Sequence, residues 1–221
     1  HGIPNKTDDY NGIQQALDSS FSELVFPPKI FYTSQTLVLR KEKKLVLQGV
    51  SMGNSLYNKN ESRLNTCIIY TDKNIDLLHI IVTDDNKNKN PSARTTNSVS
   101  IVGGNFDVSL TQSGGAFTTY TANCITVFTN DYDTRIWGIK IDTNIFGRHE
   151  NNEDWEKSIG INLNPISAET KTQYKREDYG YVTQIEIDGQ IKDFGTGIKA
   201  TDWQGTFDGE KSGINWCSSL H

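Results

Sequence analysis

The stretch from Lys6 to Leu39 limits what this chain can become more than any other. It reads, in order, as a short amphipathic helix, a turn carrying Pro27 and Pro28, and the first of many short strands. Asp8 or Asp9 supplies the N-cap, because a carboxylate accepts hydrogen bonds from the free amides of a first helical turn. Ile13, Ala16 and Leu17 fall at i, i+3 and i+4, and Phe21 extends the same stripe by a turn. A helix with one apolar stripe suits the end of a stack of strands, where it covers core side chains and unpaired backbone edges.

Short strands are expected at 24–26, 30–33, 36–39 and 45–48, with the charged run 40–44 as a solvated turn. Later segments resemble one another. Residues 99–107, 135–142 and 184–193 each place a glycine four positions before an aspartate: Gly103 and Asp107, Gly138 and Asp142, Gly189 and Asp193. Ile101 to Ile136 is a step of 35, and Ile125 to Ile161 a step of 36. Two markers with nearly one period indicate a stacked repeat. The step from Ile136 to Ile185 is longer, so an insertion is expected between Asp142 and Tyr181. Polar stretches at 53–65, 84–97 and 144–158 lack apolar periodicity and are expected to project as loops. The division implied is a cap over residues 1–23 and repeating strands over 24–221. The piece 213–217 reads as a further repeat with no cap after it, so the far end of the stack is expected to be missing or closed by another chain.

Composition narrows the partners. A net charge of −5 opposes binding to a phosphate backbone, so no nucleic acid is expected. No window holds the roughly 18 consecutive apolar residues of a spanning helix, so no membrane insertion is expected. Three cysteines form no disulfide framework, and Cys67 and Cys124 open similar apolar strands that would bury them. No Cys/His spacing suits a metal, and no cofactor is expected. His79 lies in an apolar strand and reads as a structural residue with a satisfied partner.

Three pieces of the opening carry a family resemblance: Thr7 to Tyr10, Gly12 to Leu17 (GIQQAL), and Phe26 to Tyr32 (FPPKIFY). They resemble the start of right-handed parallel β-helix proteins of the pectate-lyase-like superfamily. Two departures stand out, since the usual Gly-Asp-Gly is absent and Lys29 replaces a glycine. The match covers about a fifth of the chain. The resemblance implies an all-β fold: a right-handed, single-stranded parallel β-helix, a solenoid, with a short N-terminal capping helix. It is weaker for function, because bacteriophage tail spikes, lyases, glycosidases and adhesins share such an opening. The leading expectation is a bacteriophage tail-spike, tail-fibre or baseplate component in the virion tail. It would bind a bacterial surface polysaccharide or other glycan and form a homotrimer with other virion tail proteins. The alternative is a polysaccharide lyase or glycosidase, secreted or virion-borne, that cleaves an acidic polysaccharide. A structural spacer is the third reading.

Two constellations could carry chemistry. Asp107, Asp142 and Asp193 would share one face if their segments stacked in register, at separations of about 5 or 10 Å. Those distances bracket what glycosidases need. An aspartate at the end of a strand more often bonds the amides of its own turn, and that reading is preferred. The stretch 144–158 gathers Arg148, His149, Glu150 and Trp155. An aromatic plate, charged groups for hydroxyls and a histidine for proton transfer are what a sugar site uses. A solvated insertion is the simpler reading of it.

Overall fold

A computed structural model describes residues 2–3, 7–40, 42–49, 66–81, 96–109, 111–112, 119–128, 135–148, 154–164, 181–200, 205–207 and 210–212. The elements begin with β1 (Gly2–Ile3), α1 (Tyr10–Asp18), β2 (Glu23–Phe26), β3 (Ile30–Tyr32) and β4 (Leu37–Leu39). They continue with β5 (Lys43–Leu47), β6 (Ile68–Tyr70), β7 (Leu78–Ile81), β8 (Thr96–Asp107), β9 (Thr111–Gln112) and β10 (Asn123–Phe128). Then come β11 (Arg135–Phe146), β12 (Ile159–Asn164), β13 (Tyr181–Asp188), β14 (Ile191–Lys192) and β15 (Thr196–Ala200). The last pair is β16 (Gly205–Phe207) and β17 (Glu210–Ser212), an antiparallel hairpin.

The fold is mostly β, with one α-helix among the described residues. Two larger sheets carry it, and every strand pair in them is parallel. One has five strands in the order β15-β12-β10-β7-β4. The other runs β13-β11-β8-β5-β2, with β3, β6 and β14 paired alongside. Neither sheet closes on itself. The chain visits them in a fixed rotation: β2, β3, β4, then β5, β6, β7, and so on to β13, β14, β15. Strands β8 and β11 are long enough to serve two places in that rotation.

The core is built from rows of aliphatic side chains that repeat from strand to strand. Leu37, Leu78, Ile125, Ile161 and Ile198 form one row of the five-stranded sheet. Leu24, Leu45, Ile101, Ile141 and Ile187 form a row of the other. In-register parallel strands place like residues about 4.8 Å apart, so β-branched and leucine side chains stack on their own kind. Cys67 and Cys124 are buried free thiols within this packing.

Register corrects the repeat read from the sequence. Ile125 does face Ile161. Ile101, however, faces Ile141 rather than Ile136, and Asn105 pairs with Asn144 at a separation of 39. The next pass is longer, with Lys140 opposite Glu186 at 46. Two irregularities in the β8–β11 ladder, at 136–139 and 142–144, shift the register by one residue each in opposite senses, so the separation returns to 39. Gly103 and Gly104 occupy the second, both at positive φ, and a Cβ on Gly103 would stand 2.6 Å from the Leu47 carbonyl oxygen. Only glycine fits that left-handed, crowded bend.

Three further expectations change. Phe21 is 70% exposed, so the helix stripe ends at Leu17. Lys43 is strand rather than turn; it is buried, and its Nζ donates to the carbonyls of Ser19, at 2.8 Å, and Phe21. The stretch 144–158 begins as buried strand at Asn144, Ile145 and Phe146, because those residues pair with β8 and β14. All of 53–65 and 213–217, and most of 84–97, lie outside the described residues.

Candidate functional site

The three aspartates do not form one column. Asp107 is level with Phe146 and, through it, with Lys192, while Asp142 is level with Val102 and Asp188. The glycines that anchored the comparison belong to different bends, which displaces Asp142 by four positions along its strand.

Asp107 is fully buried at the end of β8. Its Oδ1 accepts hydrogen bonds from the Ser109 amide at 2.7 Å and the Ser109 hydroxyl at 2.6 Å. This is the self-bonded turn expected of an aspartate at a strand end. Arg148, two residues past the end of β11, joins the same corner, donating from Nη2 to the Ser109 carbonyl at 3.1 Å, and is 7% exposed. The structure thus brings Asp107 and Arg148 together through Ser109. Asp193 belongs to this corner as well, one residue past Lys192. It adopts a left-handed φ of 62°, and its carbonyl crowds Gly147. Below the corner runs a buried amide ladder. Asn144 Nδ2 donates to Asn105 Oδ1 at 3.2 Å, and the Gln190 amide donates to Asn144 Oδ1 at 3.0 Å. Buried amides need such partners, and these two bonds tie Asn144 to β8 on one side and to the backbone between β13 and β14 on the other.

Asp142 has different surroundings. It lies on the outer face of the eight-stranded sheet, directly across from Asp188, with Lys140 and Glu186 two residues back on the same strands. Lys140 Nζ donates to Glu186 Oε1 at 2.7 Å. That bond raises the lysine pKa, and Asp142 and Asp188 add to the effect through their charge. Carboxylates on adjacent parallel strands stand about 5 Å apart and repel each other.

Trp155 is partly buried and opens a short 3-10 turn (Trp155–Lys157) before β12. Its carbonyl accepts from the Ser158 hydroxyl at 2.6 Å, and the turn packs against Gly195. His149 and Glu150 lie outside the described residues.

One polar constellation was not singled out as a site from the sequence. Asp76, just before β7, is the centre of it. Its Oδ2 accepts from His79 Nε2 at 2.9 Å, Thr126 Oγ1 at 2.6 Å and Asn123 Nδ2 at 3.1 Å, and its Oδ1 accepts from the Asn123 amide at 2.9 Å. Burial alone would raise the Asp76 pKa; the bonds from His79, Thr126 and Asn123 outweigh it and hold the carboxyl below its ordinary value. His79 is level with Thr126 and Val38 on the outer face of the five-stranded sheet. Its reading as a satisfied structural histidine therefore agrees with the geometry. The Asp-x-x-His spacing was the available signal, but Thr126 and Asn123 lie 50 and 47 residues away in sequence.

No group of three or more His, Cys, Asp or Glu side chains suited to a metal occurs among the described residues. None of the described helices is long and apolar enough to cross a membrane. Compared with protein-family models, curated proteins and solved structures, the chain matches none of them.

Proposed function

We propose that the chain is a right-handed, single-stranded parallel β-helix whose first end is capped by α1, and that it serves as a glycan-binding part of a bacteriophage tail spike, tail fibre or baseplate. The observation that carries the architecture is the three-strand rotation repeated through parallel pairing alone. Crossovers between parallel strands of one sheet are right-handed in about 98% of cases, which supplies the hand. The functional part rests on the resemblance of residues 7–32 to the opening of such proteins. A rigid stack with polar side chains in rows on its outer faces is also suited to an extended polymer. Virion-tail location and trimeric assembly belong to the same reading.

Molar mass in solution and a screen against bacterial surface polysaccharides test it together. A trimer that retains at least one such polymer is the expected result. A monomer that binds none overturns the reading and leaves the structural spacer.

A second reading has its own observation. Asp142 and Asp188 sit on neighbouring strands, near the carboxylate separation of about 5–5.5 Å used by retaining glycosidases. On this reading the chain is a depolymerase, and incubation with its polymer releases oligosaccharides. Asp142→Asn then abolishes release while the circular dichroism spectrum is kept. Undiminished release by that variant removes Asp142 from the chemistry.

A further inference from the structure

The outer edge of β4 is closed by a side chain that stands in for a strand. Gln14, from the middle of α1, donates from Nε2 to the Val38 carbonyl at 2.9 Å and accepts the Val38 amide on Oε1 at 2.9 Å. In a parallel ladder, alternate residues turn their backbone groups to opposite sides. Leu37 turns its amide inward to the Leu77 carbonyl, at 3.0 Å. Val38 is the central residue of this three-residue strand and the one that faces out. One glutamine therefore satisfies the exposed pairing groups of β4. Buried Ile13 and Leu17 hold the helix in place beside it.

The other end of the same sheet is different. Among the described residues β15 is its last strand. Ile198 ends the row that starts at Leu37, and it is 37% exposed, whereas Leu37, Leu78, Ile125 and Ile161 are at most 1% exposed. In backbone register Ala200 stands last in the series that starts at Leu39. The two ends are thus matched in strand direction and in apolar row.

We propose that α1, through Gln14, is a gate against head-to-tail stacking, and that the partner it excludes from β4 is the β15 edge of a second copy of this chain. A parallel β15 laid on β4 would set Ile198 over Leu37 and Ala200 over Leu39, continuing the register already present. Because the two surfaces differ, each added copy presents a fresh end, and such assembly runs on into filaments. Gln14 makes that addition unfavourable by occupying the groups a new strand needs.

Gln14→Leu keeps helix propensity and removes both bonds, and Gln14→Glu places a carboxylate without a donor against the Val38 carbonyl. Both variants are expected to move, in sedimentation velocity, from the wild-type mass to larger species that electron microscopy shows as filaments. Adding Ile198→Lys to either should restore the wild-type mass. Hydrogen exchange provides a readout that needs no variant: the Val38 amide of the wild type should be protected relative to an unstructured chain. Unprotected Val38 overturns the gate. So do Gln14 variants that stay at the wild-type mass with faster Val38 exchange. Assembly that persists with Ile198→Lys overturns β15 as the partner strand.

Discussion

Asp76 and Asp142 both stand on the outer face of a parallel sheet, yet their surroundings are opposite. Asp76 accepts from four donors on two strands and their approaches. Asp142 faces another carboxylate, Asp188. The difference separates an aspartate that holds strands together from one whose charge is directed outward. A carboxylate that already accepts four hydrogen bonds has little left for a ligand. One opposed by a like charge lowers its energy by accepting a cation or a sugar hydroxyl.

The largest expected effect tests the structural half of this contrast. Asp76→Ala leaves the Thr126 hydroxyl, the Asn123 amide groups and His79 Nε2 without their shared acceptor. Thr126 is 1% exposed, so water cannot fully replace the lost bond. Losing a buried charged acceptor costs about 3 kcal/mol. Chemical denaturation should show this loss with an unchanged slope. A loss below about 0.5 kcal/mol, the range of ordinary surface changes, would place Asp76 with Asp142 rather than against it.

Acid provides the second test. The Asp76 carboxyl has a lowered pKa in the fold, against an ordinary value of 3.8. The unfolded chain therefore binds the proton more readily than the folded one. The stabilisation is complete above 3.8, shrinks as the pH falls below it, and is gone once the folded carboxyl is protonated. Stability measured from pH 6 downward should accordingly fall more steeply for the wild type than for Asp76→Asn. Parallel curves would mean that the carboxylate is no better bonded in the fold than in water.

How much of this was legible in the sequence depends on how far each interaction reaches along the chain. Helix α1 was legible because Ile13 and Leu17 are one turn apart. The pairing of Ile125 with Ile161 was legible because both strands are regular. The Ile101–Ile136 match failed because β11 offers Ile136, Ile139 and Ile141 in close succession and only the register selects Ile141; the two bulges, which leave no mark beyond their glycines, shift the ladder by a single residue each. Phe21 and Lys43 changed places, the apolar side chain exposed and the cation buried, because Lys43 reaches the carbonyls at the end of the helix. The candidate aspartates do not share the column the sequence pattern implied. Which carboxylates become neighbours is decided by register, and Asp188 stands opposite Asp142 through the constant 46-residue offset of the β11–β13 ladder.

The smallest effect is the sharpest test of the outward-directed half. Asp142→Asn removes one of two like charges from a directly opposed pair on an exposed sheet face. Such pairs cost about 0.2–1 kcal/mol, so the variant should be slightly more stable than the wild type, by a few tenths of a kcal/mol. Added salt should erase most of the gain, because screening already relieves the wild-type repulsion. If Asp142→Asn instead destabilises the protein in low salt, the Lys140 ammonium has outweighed Asp188. The outer face of the eight-stranded sheet would then be held by its ion pairs, and the contrast with Asp76 would become one of degree.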